Sequence, residues 1–131
     1  MDNQNVETIK RAYQHFQQGN IEGLLQMFDD NINWEIPQIS NVNFSGKRSG
    51  KYKVQEFFSD LSEQVTFKKF EPQEFVPHNG NVIVFGHYTG NVGATGKDYN
   101  SDWVHVFEVQ NGKIKSFKEY SDSSAISEAF K

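Results

Sequence analysis

Two apolar strands joined by an Asn-Gly turn constrain the fold more than any other part of this sequence. Residues 103–109 and 114–120 are rich in aromatic and β-branched side chains, and Asn111 and Gly112 lie between them. An Asn-Gly pair in this position is the strongest short-range signal for a β-hairpin, because both residues tolerate the positive φ angles of a tight primed turn. The sequence therefore predicts an antiparallel hairpin here.

The hairpin carries one imidazole and one carboxylate within an aromatic surface. His105 lies on the first strand and Glu119 on the second, among Trp103, Phe107 and Phe117. A general acid/base site uses such a pair. A core histidine satisfied by a glutamate has the same pattern, so a structural role for His105 stays open. Glu119 is likewise either the base itself or only a hydrogen-bonding partner.

Whether His105 and Glu119 share a face depends on the length of the turn. A two-residue loop would pair Gln110 with Lys113 and place His105 opposite Lys118. Because side chains alternate between the faces of a strand, a shift of one residue moves every side chain to the other face. The turn length therefore decides whether the two functional groups can meet.

A three-residue loop over residues 110–112 shifts that pairing by one residue, with the glycine as a left-handed bulge. His105 then lies opposite Phe117, and Glu119 is its diagonal neighbour on the same face, within reach of a long side chain. We predict this bulged turn, because it gathers the aromatic side chains of the hairpin on one surface with His105 and Glu119.

The rest of the chain predicts helices first and strands afterwards. Apolar residues recur at helical spacing early in the chain, and residues 38–50 are rich in Asn, Ser and Gly, which predicts a loop. We expect helices over 5–18, after a cap at Asn20, over 51–64 and over 124–130 with Asp122 or Ser123 as N-cap, and strands at 32–36, 67–76 and 82–92. This order is typical of one α+β domain over residues 1–131.

The composition excludes several kinds of site. The 131 residues contain no cysteine, which excludes disulfides, thiolate nucleophiles and Cys-based metal sites. A net charge of −4 argues against a nucleic-acid surface. The four histidines fall on different predicted elements without ligand spacing, and no glycine-rich phosphate loop is present. We therefore expect no metal and no other cofactor.

The apolar residues predict a core with a cavity and no membrane segment. Residues 1–10 are polar and lack the apolar run of a signal peptide, and no run is long enough to span a membrane. We expect a cytoplasmic protein with no membrane partner. Aromatic residues make up 15% of the chain, which suits a packed core and also an aromatic-lined cavity.

Motifs along nearly the whole chain resemble the nuclear transport factor 2-like superfamily. They include Trp34-Glu-Ile-Pro37, Ser49-Gly50 before the third helix, and the ending Phe117-Lys-Glu-Tyr120-Ser-Asp122. The ending looks most like the SnoaL-like, ketosteroid isomerase-related branch. The resemblance implies a cone-like α+β fold, with three N-terminal helices packed on a strongly bent antiparallel sheet that encloses a pocket, commonly as a homodimer. The sequence adds a short C-terminal helix.

The resemblance also implies which activity is absent. Carried over position by position, the base carboxylate of the steroid isomerases falls at Ile36 and the oxyanion-binding tyrosine at Ala12. The supporting tyrosine falls at Phe58, and the protonated aspartate falls at His105. None of the four keeps its chemistry, so we predict that this is not a true steroid isomerase.

The similar polyketide cyclases offer a better match. Their acidic residue on the last strand, near a histidine on the preceding strand, corresponds in type and place to Glu119 and His105. Trp34, Tyr88 and Trp103 would shape the pocket, although each alone suits an ordinary core position. The full set of predicted pocket residues is Phe16, Trp34, Ile36, Phe57, Phe58, Tyr88, Trp103, Phe107, Phe117 and Ser121.

Two functions follow from these patterns. The first is a small cofactor-free enzyme of isomerase, cyclase or dehydratase type, in which His105 and Glu119 form an acid/base pair acting on a hydrophobic carbonyl-type small molecule. The second is a non-catalytic homodimeric module that binds a small ligand or a partner protein. The missing oxyanion-hole tyrosine favours the second, because an enolate needs a hydrogen-bond donor and the sequence offers no obvious replacement beyond His105 or Tyr88. Val104 and Val106, on the opposite face, predict either a dimer contact or packing against the C-terminal helix.

Overall fold

A computed structural model describes residues 2–131 as four helices and six strands. The predicted α+β class is confirmed, although β1 and β2 lie between α2 and α3 and the last helix follows β6. The helices are α1 (Asp2–Gln17), α2 (Ile21–Gln26), α3 (Lys51–Gln64) and α4 (Ser123–Ala129). The strands are β1 (Phe28–Ile36), β2 (Gly46–Ser49), β3 (Val65–His78), β4 (Asn81–Val92), β5 (Asp98–Gln110) and β6 (Lys113–Ser121).

Short polar side chains fix where two of the helices begin. The side chain of Asn20 accepts a hydrogen bond from the Gly23 N–H at 3.0 Å and caps α2. Asp122 accepts one from the Ala125 N–H, also at 3.0 Å, and caps α4. Such N-caps satisfy backbone N–H groups that have no partner within the helix. The predicted caps at Asn20 and Asp122 are therefore confirmed.

All six strands form one sheet in the order β2-β1-β6-β5-β4-β3. Neighbouring strands run antiparallel except β1 and β6, which are parallel. The predicted antiparallel sheet is thus confirmed except at this pair, because β1 and β6 are distant in sequence and no hairpin forces them to be antiparallel. The loop predicted at 38–50 was also wrong over Gly46–Ser49, whose polar sequence forms the edge strand β2.

The β5–β6 hairpin differs from both predicted registers. Gln110 pairs with Lys113, so the loop has two residues, and Asn111 and Gly112 have φ angles of 52° and 76°. The predicted three-residue loop was therefore wrong. These positive φ values are those of the primed turns that Asn-Gly favours.

A bulge then shifts the register in the direction opposite to the predicted one. Val109 pairs with Ile114 but Glu108 pairs with Ser116, so Lys115 is the extra residue. His105 consequently lies directly opposite Glu119. The predicted shared face is correct, but its cause is a bulge beyond the turn, at a position where no glycine marks one.

Glycines on β4 make room for aromatic rings of β5. Gly86 lies opposite Trp103 and Gly90 opposite Tyr99, all on the face of the sheet that is buried. A Cβ added at Gly86 would overlap the tip of the Trp103 ring and lie 2.6 Å from the carbonyl oxygen of Glu71. Each ring therefore occupies the space that a side chain on the neighbouring strand would need.

The helices lie against this same face of the sheet. Side chains of α1, α2, α3 and α4 and of the sheet interior line one common cavity. Between residues 2 and 131, no helix combines the length and the apolar character needed to cross a membrane.

We expect Gly86→Ala to lower the free energy of unfolding by about 1–3 kcal/mol, the usual cost of overpacking a well-packed core. The backbone oxygen of Glu71 cannot move aside as a flexible side chain would. Urea denaturation followed by tryptophan fluorescence measures the effect. Gly93→Ala is the matched control, because its added Cβ would meet nothing closer than 3.8 Å. Equal stability of the two variants would contradict the tight approach of Trp103.

Candidate active site

An apolar cavity of about 90 Å³ lies between the helices and the sheet. Its volume suits several water molecules or one small organic group. Most of the lining is aromatic or aliphatic, and the titratable side chains among its lining residues are Tyr13, Tyr88, Tyr99, His105 and Glu119. Polar groups that converge in an apolar cavity are the usual mark of a ligand site.

His105 links a tyrosine of α1 to the glutamate of β6. Its Nδ1 lies 2.6 Å from the hydroxyl of Tyr13, and its Nε2 lies 2.9 Å from Oε1 of Glu119. A carboxylate only accepts hydrogen bonds, so Nε2 carries the proton that is donated to Glu119. Nδ1 is then an acceptor, and Tyr13 donates to it. The three side chains form a directed chain of hydrogen bonds from Tyr13 through His105 to Glu119.

The second oxygen of Glu119 accepts from two hydroxyl groups. Tyr88 donates to Oε2 at 3.1 Å, and Ser121 donates to it at 3.0 Å. A carboxylate has about four lone-pair positions, two on each oxygen. Both positions on Oε2 are therefore used, and His105 uses one on Oε1. One lone pair of Oε1 has no donor among residues 2–131, and Glu119 lines the cavity.

Aromatic rings hold the imidazole of His105 in place. Its ring stacks on Trp103 with a centroid distance of 3.8 Å, and it meets the edge of Phe117 at 4.6 Å. The ring of Tyr13 lies nearly parallel to the imidazole, with a distance of 5.9 Å between the ring centroids. His105 is 4% exposed, so its rotation is blocked by packing as well as by its two hydrogen bonds.

Burial shifts the protonation equilibria of the site. It lowers the pKa of His105, while the hydrogen bond to Glu119 and the charge of that carboxylate oppose the shift. Burial also raises the pKa values of Tyr13, Tyr88 and Tyr99, and the charge of Glu119 raises them further. At neutral pH the histidine is neutral and the three phenols keep their protons.

Most of the predicted pocket residues line the cavity. They are Phe16, Trp34, Ile36, Phe57, Phe58, Tyr88, Phe107 and Phe117. The other two, Trp103 and Ser121, are not among the lining residues. Instead Trp103 stacks on His105 and Ser121 donates to Glu119, so both support the polar pair. The catalytic role of His105 and Glu119 stays a prediction.

Sequence reasoning missed two tyrosines of the site. Tyr13 has helical spacing typical of a core residue, and nothing in the sequence indicates that it reaches His105, 92 positions later in the chain. Tyr99 lies beyond the predicted start of β5, which the structure extends to Asp98. A longer alternating pattern through Tyr99, Ser101 and Trp103 was the signal available for it.

The other histidines lie apart from the cavity. His15 lies 3.2 Å from the side chain of Asn20, and His78 lies at the same distance from Asn79. His87 pairs with Asp102 at 2.9 Å near the surface. Within residues 2–131, no three His, Asp or Glu side chains come together in a group that could hold a metal ion.

Comparisons with known proteins agree with this architecture. Residues 9–117 match the SnoaL-like domain. An NTF2-like protein from Burkholderia xenovorans LB400 has 30% identity and a TM-score of 0.90, covering 100% of this chain and 98% of that protein. TerC, crystallised with polyporic acid, has 24% identity and a TM-score of 0.86, covering 97% and 98%. The uncharacterised YesE of Bacillus subtilis is 23% identical over 127 residues, which are 95% of this chain and 85% of YesE.

We expect NMR titration to give His105 a pKa below the ordinary value of about 6.5, because burial disfavours the imidazolium. In Glu119→Gln the pKa should fall further, since the carboxylate that favours the charged form is removed. Disappearance of the signal in His105→Gln assigns it. A pKa at or above about 6.5, or one unchanged in Glu119→Gln, would contradict the coupled buried pair.

Proposed function

This chain belongs to the SnoaL-like domain family, and on that premise we propose that it is a small enzyme that moves a proton beside the carbonyl group of a hydrophobic small molecule. Glu119 is the base and His105 is its hydrogen-bonding partner. The observation that carries the proposal is the unused lone pair on Oε1 of Glu119, in an apolar cavity where every other acceptor position of that carboxylate has a donor. No cofactor takes part in the proposed reaction.

The proton transfer balances within the site. The free lone pair of Oε1 takes a proton from the carbon next to the carbonyl, and the electrons of that C–H bond form an enolate. Glu119 then returns the proton to the enolate at the same carbon or at a conjugated one, which regenerates the carboxylate. Isomerisation, cyclisation and dehydration all begin with this first step, so the proposal covers all three reaction types.

Tyr13 and His105 prepare Glu119 for this role. Tyr13 fills Nδ1 of the imidazole, so the ring presents its N–H only to Glu119. The neutral imidazole donates one hydrogen bond to the carboxylate without placing a full positive charge beside it. Groups fixed before the substrate arrives avoid reorganisation during the reaction.

The lining favours a neutral substrate with an apolar body. Among the described residues, no Lys or Arg lines the cavity, whereas Glu119 brings a negative charge. An anion would therefore be repelled, and aromatic walls favour a flat or cyclic molecule. TerC, which shares the fold, was crystallised with polyporic acid.

Positions that serve steroid isomerases are occupied differently here. Ile36, Ala12 and Phe58 all line the cavity, and none can accept or donate a proton. The proposed chemistry therefore depends on the β5–β6 hairpin, at a different point of the cavity wall.

A cytoplasmic location stays a prediction of the sequence.

Solvent deuterium exchange tests the proposed function. Cyclohex-2-enone incubated with the native protein in deuterated buffer should incorporate deuterium beside the carbonyl, measured by NMR against buffer alone. Glu119→Gln should lower the catalysed rate by about 100-fold or more, the usual contribution of a positioned acid/base group. Glu74→Gln, the same change on an exposed residue of β3, is the matched control. A native rate equal to that of buffer, or an unchanged rate in Glu119→Gln, would overturn the proposal.

We also propose that the chain forms a homodimer through the outer face of the sheet. Phe85 lies opposite Val104, and Val104 lies opposite Tyr120, which makes a row across three strands. Phe85 is 42% exposed and Tyr120 is 51% exposed. Helix α4 is on the other face, because Ile126 lines the cavity. That placement favours the dimer contact over packing of α4 against Val104.

Sedimentation equilibrium tests the dimer. The native protein should have twice the mass of the 15.1 kDa chain, and Phe85→Lys should sediment as a monomer because a charge at the centre of an apolar contact would be left without a partner. Tyr52→Lys is the control, since Tyr52 is exposed on α3, away from this row. A monomeric native protein would contradict this proposal and leave the proposed reaction untouched.

A further inference from the structure

The proposed reaction requires a hydrogen-bond donor for the oxygen of the enolate. Tyr13 is already committed to Nδ1 of His105, and Tyr88 is committed to Oε2 of Glu119. His105 donates its N–H to Glu119. None of these groups can donate to the substrate without giving up the hydrogen bond that it donates to His105 or Glu119. The remaining phenol of the cavity is Tyr99.

The hydroxyl of Tyr99 has no hydrogen-bond partner within residues 2–131, although the side chain is only 5% exposed. In the part of the chain that the structure describes, the buried side-chain polar atoms without a partner are on Trp34, Arg48 and Trp103, and the Tyr99 hydroxyl is not among them. It therefore still touches free space. Tyr99 is also one of the residues that line the cavity.

The backbone around Tyr99 is built to hold its ring over the sheet. Gly90 lies opposite Tyr99, and a Cβ at Gly90 would lie 2.5 Å from Cζ and 2.8 Å from the hydroxyl. The ring also meets Tyr88 edge-on at a centroid distance of 5.7 Å. A phenol packed in this way keeps its orientation while its hydroxyl stays available.

We propose that the Tyr99 hydroxyl is the donor that binds the carbonyl oxygen of the ligand, opposite the free lone pair of Glu119 in the same cavity. This inference rests on the proposed function for the identity of the reacting carbon. It defines the substrate as a neutral carbonyl compound that places its oxygen at Tyr99 while its acidic carbon faces Glu119. Tyr99 donates a hydrogen bond and keeps its proton, so no group changes its charge apart from Glu119 and the substrate.

Trp34 is the competing donor. Its indole N–H also lacks a partner, and the residue lines the cavity. That nitrogen is itself buried, however, and its ring is stacked on Phe117 with a centroid distance of 3.9 Å. A ligand would reach it only after the aromatic wall had moved. The Tyr99 hydroxyl needs no such rearrangement.

Infrared spectroscopy of a bound ketone separates the two donors. Cyclohex-2-enone labelled with carbon-13 at the carbonyl is added at saturating concentration, and the carbonyl stretch is read from the labelled-minus-unlabelled difference spectrum. A hydrogen bond to the oxygen lowers the stretching frequency. The native protein should show a band below that of the ketone in an apolar solvent. In Tyr99→Phe the band should move back towards the apolar-solvent position.

Affinity and exchange rate accompany the spectrum. Loss of one neutral hydrogen bond should weaken ketone binding about five-fold in Tyr99→Phe. The deuterium exchange rate should fall by about 100-fold, since a donor to an oxyanion stabilises the transition state more than the ground state. Tyr52→Phe, the same change at an exposed hydroxyl of α3, should match the native protein in all three measurements. Unchanged circular dichroism shows that Tyr99→Phe is folded.

Three results would overturn the inference. A native-like carbonyl band in Tyr99→Phe would do so, as would a band that responds to Trp34→Phe instead, or no bound ketone at saturation. Failure of the proposed function has a different signature, because the band would respond to Tyr99→Phe while the native protein catalysed no exchange. Catalysed exchange that depends on Glu119 but not on Tyr99 would retain the function and reject the donor.

Discussion

The carboxylate of Glu119 inside an aromatic cavity is the constraint on which the rest of the site depends. A buried charge is costly unless hydrogen bonds compensate for it, and removing one partner of a buried pair costs about 3–5 kcal/mol. His105, Tyr88 and Ser121 supply that compensation from β5, β4 and β6. Tyr13 extends the chain into α1, so one negative charge connects the helical layer to three strands of the sheet.

Much of this fold could be predicted from local patterns. The Asn-Gly turn, the caps at Asn20 and Asp122 and the span of α3 are local signals, and the structure confirms each of them. The shared face of His105 and Glu119 was also predicted correctly, although by way of the wrong loop. The predicted and the observed registers differ by two residues. Because side chains alternate between the two faces of a strand, the same side chains share a face in both registers.

The remaining features depend on contacts between distant parts of the chain. The bulge at Lys115 leaves no mark in the local sequence, and β2 has no apolar alternation because it is an exposed edge strand. The contact between Tyr13 and His105 exists only because α1 packs on the sheet. A tyrosine on the apolar face of a helix has the same local sequence pattern whether it fills a core or donates a hydrogen bond. Tertiary packing alone decides between these roles.

The parallel pairing of β1 with β6 affects the order in which the molecule can assemble. Trp34 of β1 lies beside Phe117 of β6, about 80 residues later in the chain. During synthesis one edge of β1 therefore stays open until β6 has left the ribosome, and contacts of such long sequence separation form slowly. The same late strand delivers Glu119. The cavity consequently acquires its carboxylate only when β6 joins the sheet, so a partly made chain lacks the group to which Tyr88 and His105 donate.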